Sequence, residues 1–350
     1  MYTSTFTFNP GVFMPTRDDV ARLARVSTAT VSRAYNNPDS VSPEKVKQIR
    51  QAAKKLCYVP DKNASALRRN GTGAIALIET THAPFFTDRY YAWHYATVLR
   101  AVKSVIDKTL YHLLLITVSS PNDIRALVRN RICDAVIAHD FRDVRLMNAV
   151  QGIGLPYICA YRNLSPGLNT VYIDEAHGGM LAGQRLVSAG CIKPAHITGS
   201  LNSNPVCRDR FTGFQGAFPD TPIKLIDGEI GIHGGYTSAM QLLPHIRSKE
   251  VDSLFVVNDL TAIGVFQAFS EAGVRVPQDI SVIGYDNLPF IDTLPVKLTT
   301  VDISLGAAYQ RVSHIILELL KEKRPVHEPI KPVLVEGETI ITKVNVCRTR

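Results

Sequence analysis

A short polar helix near the start of the chain carries side chains whose chemistry suits the edges of DNA bases. The pattern TRDDVARLARVSTATVSRAYNN, residues 16–37, predicts two short helices joined by a tight turn. The second helix offers hydroxyl groups, one methyl group and a guanidinium, and the guanidinium of Arg33 can donate to O6 and N7 of guanine in a major groove. Its outward positions are Thr28, Ala29, Thr30, Ser32 and Arg33.

Apolar side chains at helical spacing supply the packing that would hold these two helices together. The first helix has apolar residues four apart and the second has them three apart, so two apolar stripes can face each other. Ser27 stands where its side chain can cap the second helix by accepting from free backbone N–H groups. The predicted buried positions are Val20, Ala21, Ala24, Val26, Val31 and Ala34.

The turn between the two helices departs from the usual helix-turn-helix pattern. Glycine is common there because the backbone often needs a positive φ, whereas this chain has Arg25. A left-handed arginine costs about 1 kcal/mol relative to glycine. An ordinary helical hairpin with a solvated polar face is therefore the alternative interpretation of the same residues.

The distribution of charge favours DNA binding over a solvated hairpin. Residues 14–73 hold 12 Lys and Arg against 5 Asp and Glu, whereas the rest of the chain holds 27 against 26, within a total net charge of +8. A positive field confined to one sixth of the chain indicates a polyanionic partner for the N-terminal part only.

A third helix and a basic segment follow. Ser42-Pro43-Glu44 is a typical helix start, and apolar residues then recur at helical spacing as far as Leu56, which predicts a small three-helix core. The segment 62–73 is either a basic linker or a conditional helix. As a helix it would lie in a minor groove, insert Leu67 between base pairs and hold phosphates through its arginines.

In this order, the segments 16–37, VSPEKVKQIRQAAKKLCYVP and NASALRR resemble the LacI/GalR family of bacterial transcription regulators. The resemblance implies that a homodimer binds a near-palindromic double-stranded DNA operator, with Thr28, Ala29 and Arg33 as the main base readers and Leu67 as an intercalating residue. The DNA-binding residues that it implies are Thr16, Ser27, Thr28, Ala29, Thr30, Ser32, Arg33, Asn36, Ala64, Leu67 and Arg68.

The remainder of the chain predicts an α/β core. Short apolar runs bounded by turn residues alternate with helical segments, as expected for buried parallel strands with crossover helices, and none is long enough to span a membrane. The runs are AIALI (74–78), HLLLITV (112–118), DAVIAH (134–139), YICAY (157–161), AHIT (195–198), SLFVV (253–257) and ISVIGY (280–285).

The family resemblance extends through this core, to about residue 342, and implies two doubly wound, periplasmic-binding-protein-like lobes with an effector between them. The fold class is therefore a small all-α helix-turn-helix headpiece plus this two-lobe core. The predicted boundaries are 1–15 for a disordered extension, 16–61 for the DNA-binding domain, 62–73 for the hinge, 74–342 for the core (N-lobe 74–173 and 305–332, C-lobe 174–301 and 333–342) and 343–350 for a tail.

Effector contacts follow from the same resemblance where the motifs hold. Arg210 in RDRFTGF, Asn258 in VVND and Asp286 in GYDN supply a fork donor, an amide and a carboxylate, a set that suits hydroxyls or ring nitrogens. Alternatively, Asn258 and Asp286 cap local structure and Arg210 pairs with Asp209 or Asp227. The full predicted effector set is Thr80, Phe85, Tyr161, Arg210, Ile230, Asn258 and Asp286.

Two positions depart from the family pattern in ways that concern the ligand. Many relatives carry Asp where this chain has Tyr161, and sugar- or purine-binding relatives often place a stacking aromatic where it has Ile230. A standard pyranose site is thus in doubt. The alternatives are a phosphorylated, linear or less polar ligand, or a site that no longer binds one.

No catalytic, cofactor or metal motif is apparent. The chain lacks GxSxG, P-loop and HExxH patterns, and its six scattered cysteines suit small core residues in a reducing cytoplasm. The leading hypothesis is an effector-controlled transcriptional repressor, cytoplasmic and not an enzyme. The alternatives are a solute-binding protein of the periplasmic-binding type, which the basic N-terminal part and the lack of a signal peptide disfavour, and an enzyme on the same α/β fold.

Overall fold

The computed structural model describes residues 15–58, 71–80, 89–163 and 167–341, and the side chains of Asn36 and of residues 89–91 are not described. The chain separates into two units, with the division after Asn70. Predictions for residues 1–14, for the segment 59–70 and for Phe85 lie outside the described residues.

The first unit is a three-helix domain. Helices α1 (Arg17–Leu23) and α2 (Thr28–Asn36) are followed by a 3-10 turn (Pro38–Ser40) and α3 (Pro43–Leu56). Its buried side chains are Val20, Ala21, Ala24, Val31, Ala34, Ile49, Ala52 and Ala53. The predicted stripes therefore meet, although Val26 is only partly buried.

Local interactions define where these helices begin. Thr16 and Asp19 form a reciprocal capping box at α1, and the Ser27 side chain accepts from the backbone N–H of Thr30 at 3.1 Å, as predicted for α2. Arg25 has φ of 49°, so the turn does use the left-handed backbone that glycine would adopt more easily. Ser42 precedes α3 with Pro43 at its first position, but its side chain makes no capping bond.

The second unit alternates strands and helices. Its strands are β1 (Ala74–Thr80), β2 (His112–Val118), β3 (Ala135–His139), β4 (Tyr157–Tyr161), β5 (Thr170–Ile173), β6 (Pro194–Thr198), β7 (Lys224–Asp227), β8 (Ser253–Val256), β9 (Ser281–Ile283), β10 (Thr300–Asp302), β11 (His327–Ile330) and β12 (Val333–Val335). Its α-helices are α4 (Arg89–Ile106), α5 (Pro121–Arg129), α6 (Val144–Gln151), α7 (Glu175–Ser188), α8 (Pro205–Gly216), α9 (Ile232–Arg247), α10 (Asp259–Ala272) and α11 (Leu305–Leu319).

Two parallel sheets organise this unit. The larger has the strand order β11-β5-β4-β3-β1-β2 and the smaller has the order β7-β6-β8-β9, while β10 and β12 form a separate antiparallel pair. The chain therefore leaves the large sheet after β5, builds the small one, and returns to the large sheet through α11 and β11. Helices cover both faces, which is why the central strands β1 and β3 are almost wholly buried.

All seven apolar runs coincide with strands, and the runs at 112–118 and 157–161 match β2 and β4 at both ends. This agreement confirms the prediction of parallel strands, although β2, at the edge of the large sheet, is only partly buried. No helix in the described part of the chain is long and apolar enough to cross a membrane.

Candidate DNA-reading helix and effector cavity

Helix α2 presents its predicted reading face to solvent. Thr28, Ala29 and Arg33 are exposed, while Thr30 and Ser32 are half-buried. Ser27 and Thr30 are tied together because their hydroxyl groups are 2.8 Å apart in addition to the capping bond. The three residues predicted as main base readers thus share a free surface on a helix whose start is fixed.

Other predicted DNA contacts have different positions. Thr16 caps α1, where its hydroxyl is 2.6 Å from the carboxylate of Asp19. Ala64, Leu67 and Arg68 belong to a segment outside the described residues, so the hinge remains a prediction.

A cavity of about 270 Å³ lies in the second unit, at the carboxyl ends of strands from both sheets. In open α/β sheets this edge is where ligands bind, because the loops that follow the strands converge there. The lining residues are Glu79, Thr80, His94, His139, Asp140, Arg142, Tyr161, Arg162, Asn204, Val206, Cys207, Arg210, Ile230, Gly231, Val257, Asn258 and Leu260.

Most of the predicted effector residues meet in this cavity. Those that line it are Thr80, Tyr161, Arg210, Ile230 and Asn258. Asp286 does not line the cavity but lies behind Arg210, with its carboxylate 3.3 Å from the guanidinium.

Arg210 is the centre of a buried charge network. Its Nε donates to Glu175 at 2.8 Å, one Nη donates to the same carboxylate at 3.2 Å, and the other donates to the carbonyl of Val257 at 2.6 Å. The guanidinium also lies 3.7 Å above the ring of Tyr285. Burial alone would lower the pKa of Arg210, but the carboxylates of Glu175 and Asp286 raise it well above its usual value.

Close helix packing brings these charges together. A Cβ on Gly179 of α7 would lie 2.0 Å from the carbonyl oxygen of Arg210, and one on Gly213 of α8 would lie 1.8 Å from that of Ala176. The two helices can therefore approach to backbone contact only because both positions are glycine. The prediction that Arg210 pairs with Asp209 or Asp227 is wrong, because its partner Glu175 is in the first turn of α7.

Asn258 serves two purposes in this wall of the cavity. Its side-chain oxygen accepts from the backbone N–H of Thr261 at 2.9 Å and so caps α10. The same residue is among those that line the cavity. Capping and ligand contact, weighed above as alternatives, are therefore compatible.

The wall formed by the large sheet is aromatic and imidazole-rich. His139 ends β3 and shares a hydrogen bond with the hydroxyl of Tyr309 on α11, while the ring centroids of His94 and Tyr161 are 4.9 Å apart, edge to face. Burial lowers the pKa of His139 to about 4 and that of His94 to about 3, so both rings are neutral at physiological pH. Tyr161 has φ of 93°, which sharply turns the chain after β4.

An ion cluster lies beside these rings. Asp140 accepts from Nε of Arg162, and its second oxygen is 3.3 Å from Arg142. Burial by itself would raise the pKa of Asp140, but the neighbouring Arg162 holds it below its usual value. Two guanidinium groups thus share one ionised carboxylate at the edge of the cavity.

The sequence analysis missed most of this second wall. No motif in the sequence singled out His94 or His139, and within the described ranges no group of three or more potential metal ligands is present. A usable signal did exist, because the polar pair His139-Asp140 ends an apolar run. Residues at the carboxyl end of a parallel strand lie at the edge of the sheet where ligands bind.

Comparison with known proteins agrees with the geometry. Residues 16–61 match the bacterial regulatory proteins of the lacI family, and residues 183–340 match the periplasmic binding protein-like domain. The repressor PurR of Aliivibrio fischeri (strain MJ11) is 28% identical over 347 residues, covering 95% of this chain and 100% of that protein. The sucrose operon repressor of Streptococcus mutans is 26% identical over 330 residues, covering 92% and 98%.

A solved structure shares the fold. The Lac repressor dimer bound to operator and the anti-inducer ONPF has a TM-score of 0.66 with 23% identity, covering 94% of this chain and 100% of that one. The relatives are transcriptional repressors and not enzymes, in agreement with the sequence analysis. The chain thus combines a DNA-binding domain of the lacI family, residues 16–61, with a two-lobe, periplasmic-binding-protein-like core.

Proposed function

We propose that this protein represses transcription by binding a near-palindromic operator as a homodimer, and that a small molecule in the core cavity controls this binding. The single observation that carries the proposal is that an exposed base-reading helix and a lined ligand cavity occur in one chain. The effector class is a sugar, a sugar derivative or a related metabolite, since relatives include sucrose and ribose operon repressors.

The headpiece reads DNA through the exposed face of α2. Arg33 supplies guanidinium donors for a guanine, Thr28 a hydroxyl and Ala29 a methyl contact. Ser27, Thr30, Ser32 and Asn36 add contacts at the edges of this face, and Thr16 holds a phosphate from the start of α1. The segment with Ala64, Leu67 and Arg68 acts as the hinge that enters the minor groove.

In the effector-binding unit, each of the two sheets forms the centre of one lobe, and the ligand lies between the two lobes. Residues 74–173 and 305–332 form the N-lobe, and residues 174–301 and 333–342 form the C-lobe. Tyr161 and Thr80 contact the ligand from the N-lobe, together with Phe85. Asn258, Ile230 and Arg210 contact it from the C-lobe, and Asp286 acts through Arg210. Binding shifts the angle between the lobes and so the population of the DNA-binding state.

Dimer formation has a candidate surface in the second unit. Strand β2 is at one edge of the large sheet and exposes the side chain of Leu115, while its neighbours Leu113 and Leu114 are only half-buried. An apolar edge strand favours pairing with a second copy, which would cover it. With that partner, a cytoplasmic homodimer presents two α2 helices to two half-sites.

Selection of DNA from a random library by the full-length chain tests the proposal. Enrichment of a palindrome is expected, and Arg33→Ala should then lose about 1–3 kcal/mol of operator affinity and relax the preference at one position of each half-site. Fluorescence anisotropy with wild-type and single-substituted operators measures both effects.

Lys55→Ala is the matched control, because Lys55 is in the last turn of α3 and not on the reading face. This variant should weaken binding to all DNA sequences alike and lower the salt dependence. An equal loss on every sequence for Arg33→Ala would remove Arg33 from base recognition, and the absence of any enriched palindrome would refute the proposed function.

A further inference from the structure

From the charges in the core cavity we infer that the effector carries an oxyanion group, a phosphate or a carboxylate, held between Arg142 and Arg162 on one wall and the start of helix α9 on the other. This inference rests on the proposed function and narrows its effector class. Arg142 and Arg162 were not among the predicted effector residues, and their position follows from the loops after β3 and β4.

The first argument is the surplus of positive charge around Asp140. Arg162 and Arg142 both contact this one carboxylate, so two guanidinium groups share a single anion at this edge of the cavity, with the Arg142 side chain 61% exposed and that of Arg162 12% exposed. Within the described part of the chain, Arg162 donates only through Nε and Arg142 only through one Nη. The remaining N–H groups form forks of the geometry that binds phosphate or carboxylate in a bidentate manner.

Arg162 is also held in place, unlike a surface arginine. Its side chain is 12% exposed, compared with 78% for Arg145, which forms an ion pair with Asp143 outside the cavity. A pre-positioned guanidinium loses less conformational freedom on binding an anion than a mobile one does. The cluster is therefore a built feature of the cavity wall.

The second argument comes from the opposite wall, where three helices begin. Asn204 caps α8 and Asn258 caps α10 with their side chains, whereas α9 follows Gly231, which has no side chain to cap it. The N–H of Gly231 itself donates to the hydroxyl of Thr261 at 2.9 Å, and none of the described side chains accepts from the N–H groups of the first turn that follows. A Cβ on Gly231 would meet nothing within 4 Å, so its backbone faces open space. The positive end of a helix dipole with free N–H groups favours an anion at this point.

The other charges of the lining are accounted for. Arg210 is paired with two carboxylates, Glu175 and Asp286, which lie behind it and not in the lining, so it offers no surplus positive charge to a ligand. Glu79, the second carboxylate of the lining, accepts from the hydroxyl of Thr117 at 3.3 Å, and burial raises its pKa, which limits its repulsion of an anion. Glu79 suits a hydroxyl group at the other end of the same ligand.

Titration of the full-length chain with three probes tests the inference: ribose, ribose 5-phosphate and ribonate. Calorimetry measures affinity directly, and the fluorescence of Trp93, the single tryptophan and the neighbour of cavity-lining His94, gives a second readout. At least one of the two anionic probes should bind about tenfold or more tightly than ribose. Its affinity should fall about 10- to 100-fold in Arg162→Gln, the loss expected for a charge-assisted pair.

Arg145→Gln is the matched control and should leave all three affinities unchanged. Tighter binding of ribose 5-phosphate indicates a phosphate site, and tighter binding of ribonate indicates a carboxylate site. Tighter binding of ribose than of both anions, no binding of either anion, or an undiminished affinity in Arg162→Gln would each overturn the inference. If ribose binds more tightly than both anions and still alters operator binding, the proposed regulatory function is retained but the anionic effector class is refuted.

Discussion

The two walls of the core cavity are built in different ways. The wall from the small sheet is a closed network, in which Arg210 is fully engaged by Glu175, Asp286 and a backbone carbonyl. The wall from the large sheet consists of neutral imidazoles, a tyrosine and a surplus guanidinium. The Arg210 network of the first wall is satisfied by its own partners, so its charges mainly maintain the fold. The second has unsatisfied hydrogen-bonding capacity and is where ligand identity can be read.

This contrast follows from the sequence positions involved. The small-sheet wall holds the motifs quoted above that match the family, with one departure at Ile230, and the large-sheet wall is where Tyr161 departs from it. A shared scaffold with a variable reading surface is a general way to change specificity while the fold is retained.

The largest expected effect comes from breaking the small-sheet network. Arg210→Met should lower the free energy of unfolding of the core by about 3–5 kcal/mol, because it leaves the carboxylates of Glu175 and Asp286 buried without their cation. Urea unfolding followed by Trp93 fluorescence measures the loss.

Arg145→Gln again provides the control, since its pair with Asp143 is exposed to solvent and contributes little to stability. A loss in Arg210→Met no larger than in this control would show that the network does not maintain the fold.

An intermediate effect is expected from acid titration of the large-sheet wall. His139 titrates at about 4 in the folded chain and near 6.5 when unfolded, so between these values the unfolded chain binds more protons. The contribution of neutral His139 to the free energy of unfolding is therefore fully present above pH 6.5. On acidification towards pH 4, the free energy of unfolding falls by up to about 1.4 kcal/mol per pH unit.

His139→Gln removes this titration while keeping a polar group beside Tyr309. The difference in unfolding free energy between wild type and variant should be constant above pH 6.5 and should shrink below it. Buried His196 and the more distant groups titrate alike in both proteins, so the difference reports on His139 together with its effect on the pKa of the neighbouring His94. A difference that does not change with pH would contradict a neutral His139.

The smallest effect concerns the link from this wall to α11. Tyr309→Phe removes only the hydroxyl that bonds His139 and should cost about 0.5–1.5 kcal/mol of stability. Urea unfolding measures it, with Tyr285→Phe as a control, since Tyr285 is equally buried but packs in the other wall. A loss of 3 kcal/mol or more would mean that the hydroxyl supports more than one hydrogen bond.

Local pattern was enough to predict seven of the twelve described strands and the helices of the headpiece. Alternating apolar runs fixed the positions of β2 and β4, and the positive φ of Arg25 followed from the turn that two packed helices require. Each of these features depends on residues within one turn or one strand.

Partners distant in sequence could not be predicted in this way. Arg210 meets Glu175 from 35 residues away because two glycine positions let α7 and α8 touch, and His139 meets Tyr309 from 170 residues away. Periodicity shows that a residue is buried but does not identify the residue that it faces. The site motifs predicted one wall of the cavity, and its second wall needed the three-dimensional structure.

The most direct test of the contrast is the ratio of ribose to ribose 5-phosphate affinity in two variants. Tyr161→Asp, which restores the acid that many relatives carry, should shift this ratio towards ribose by about tenfold or more. Asn258→Ser, which keeps a capping side chain on α10, should weaken both probes and change the ratio by less than about twofold. A ratio that moves with Asn258→Ser and stays constant with Tyr161→Asp would contradict the assignment of ligand selection to the large-sheet wall.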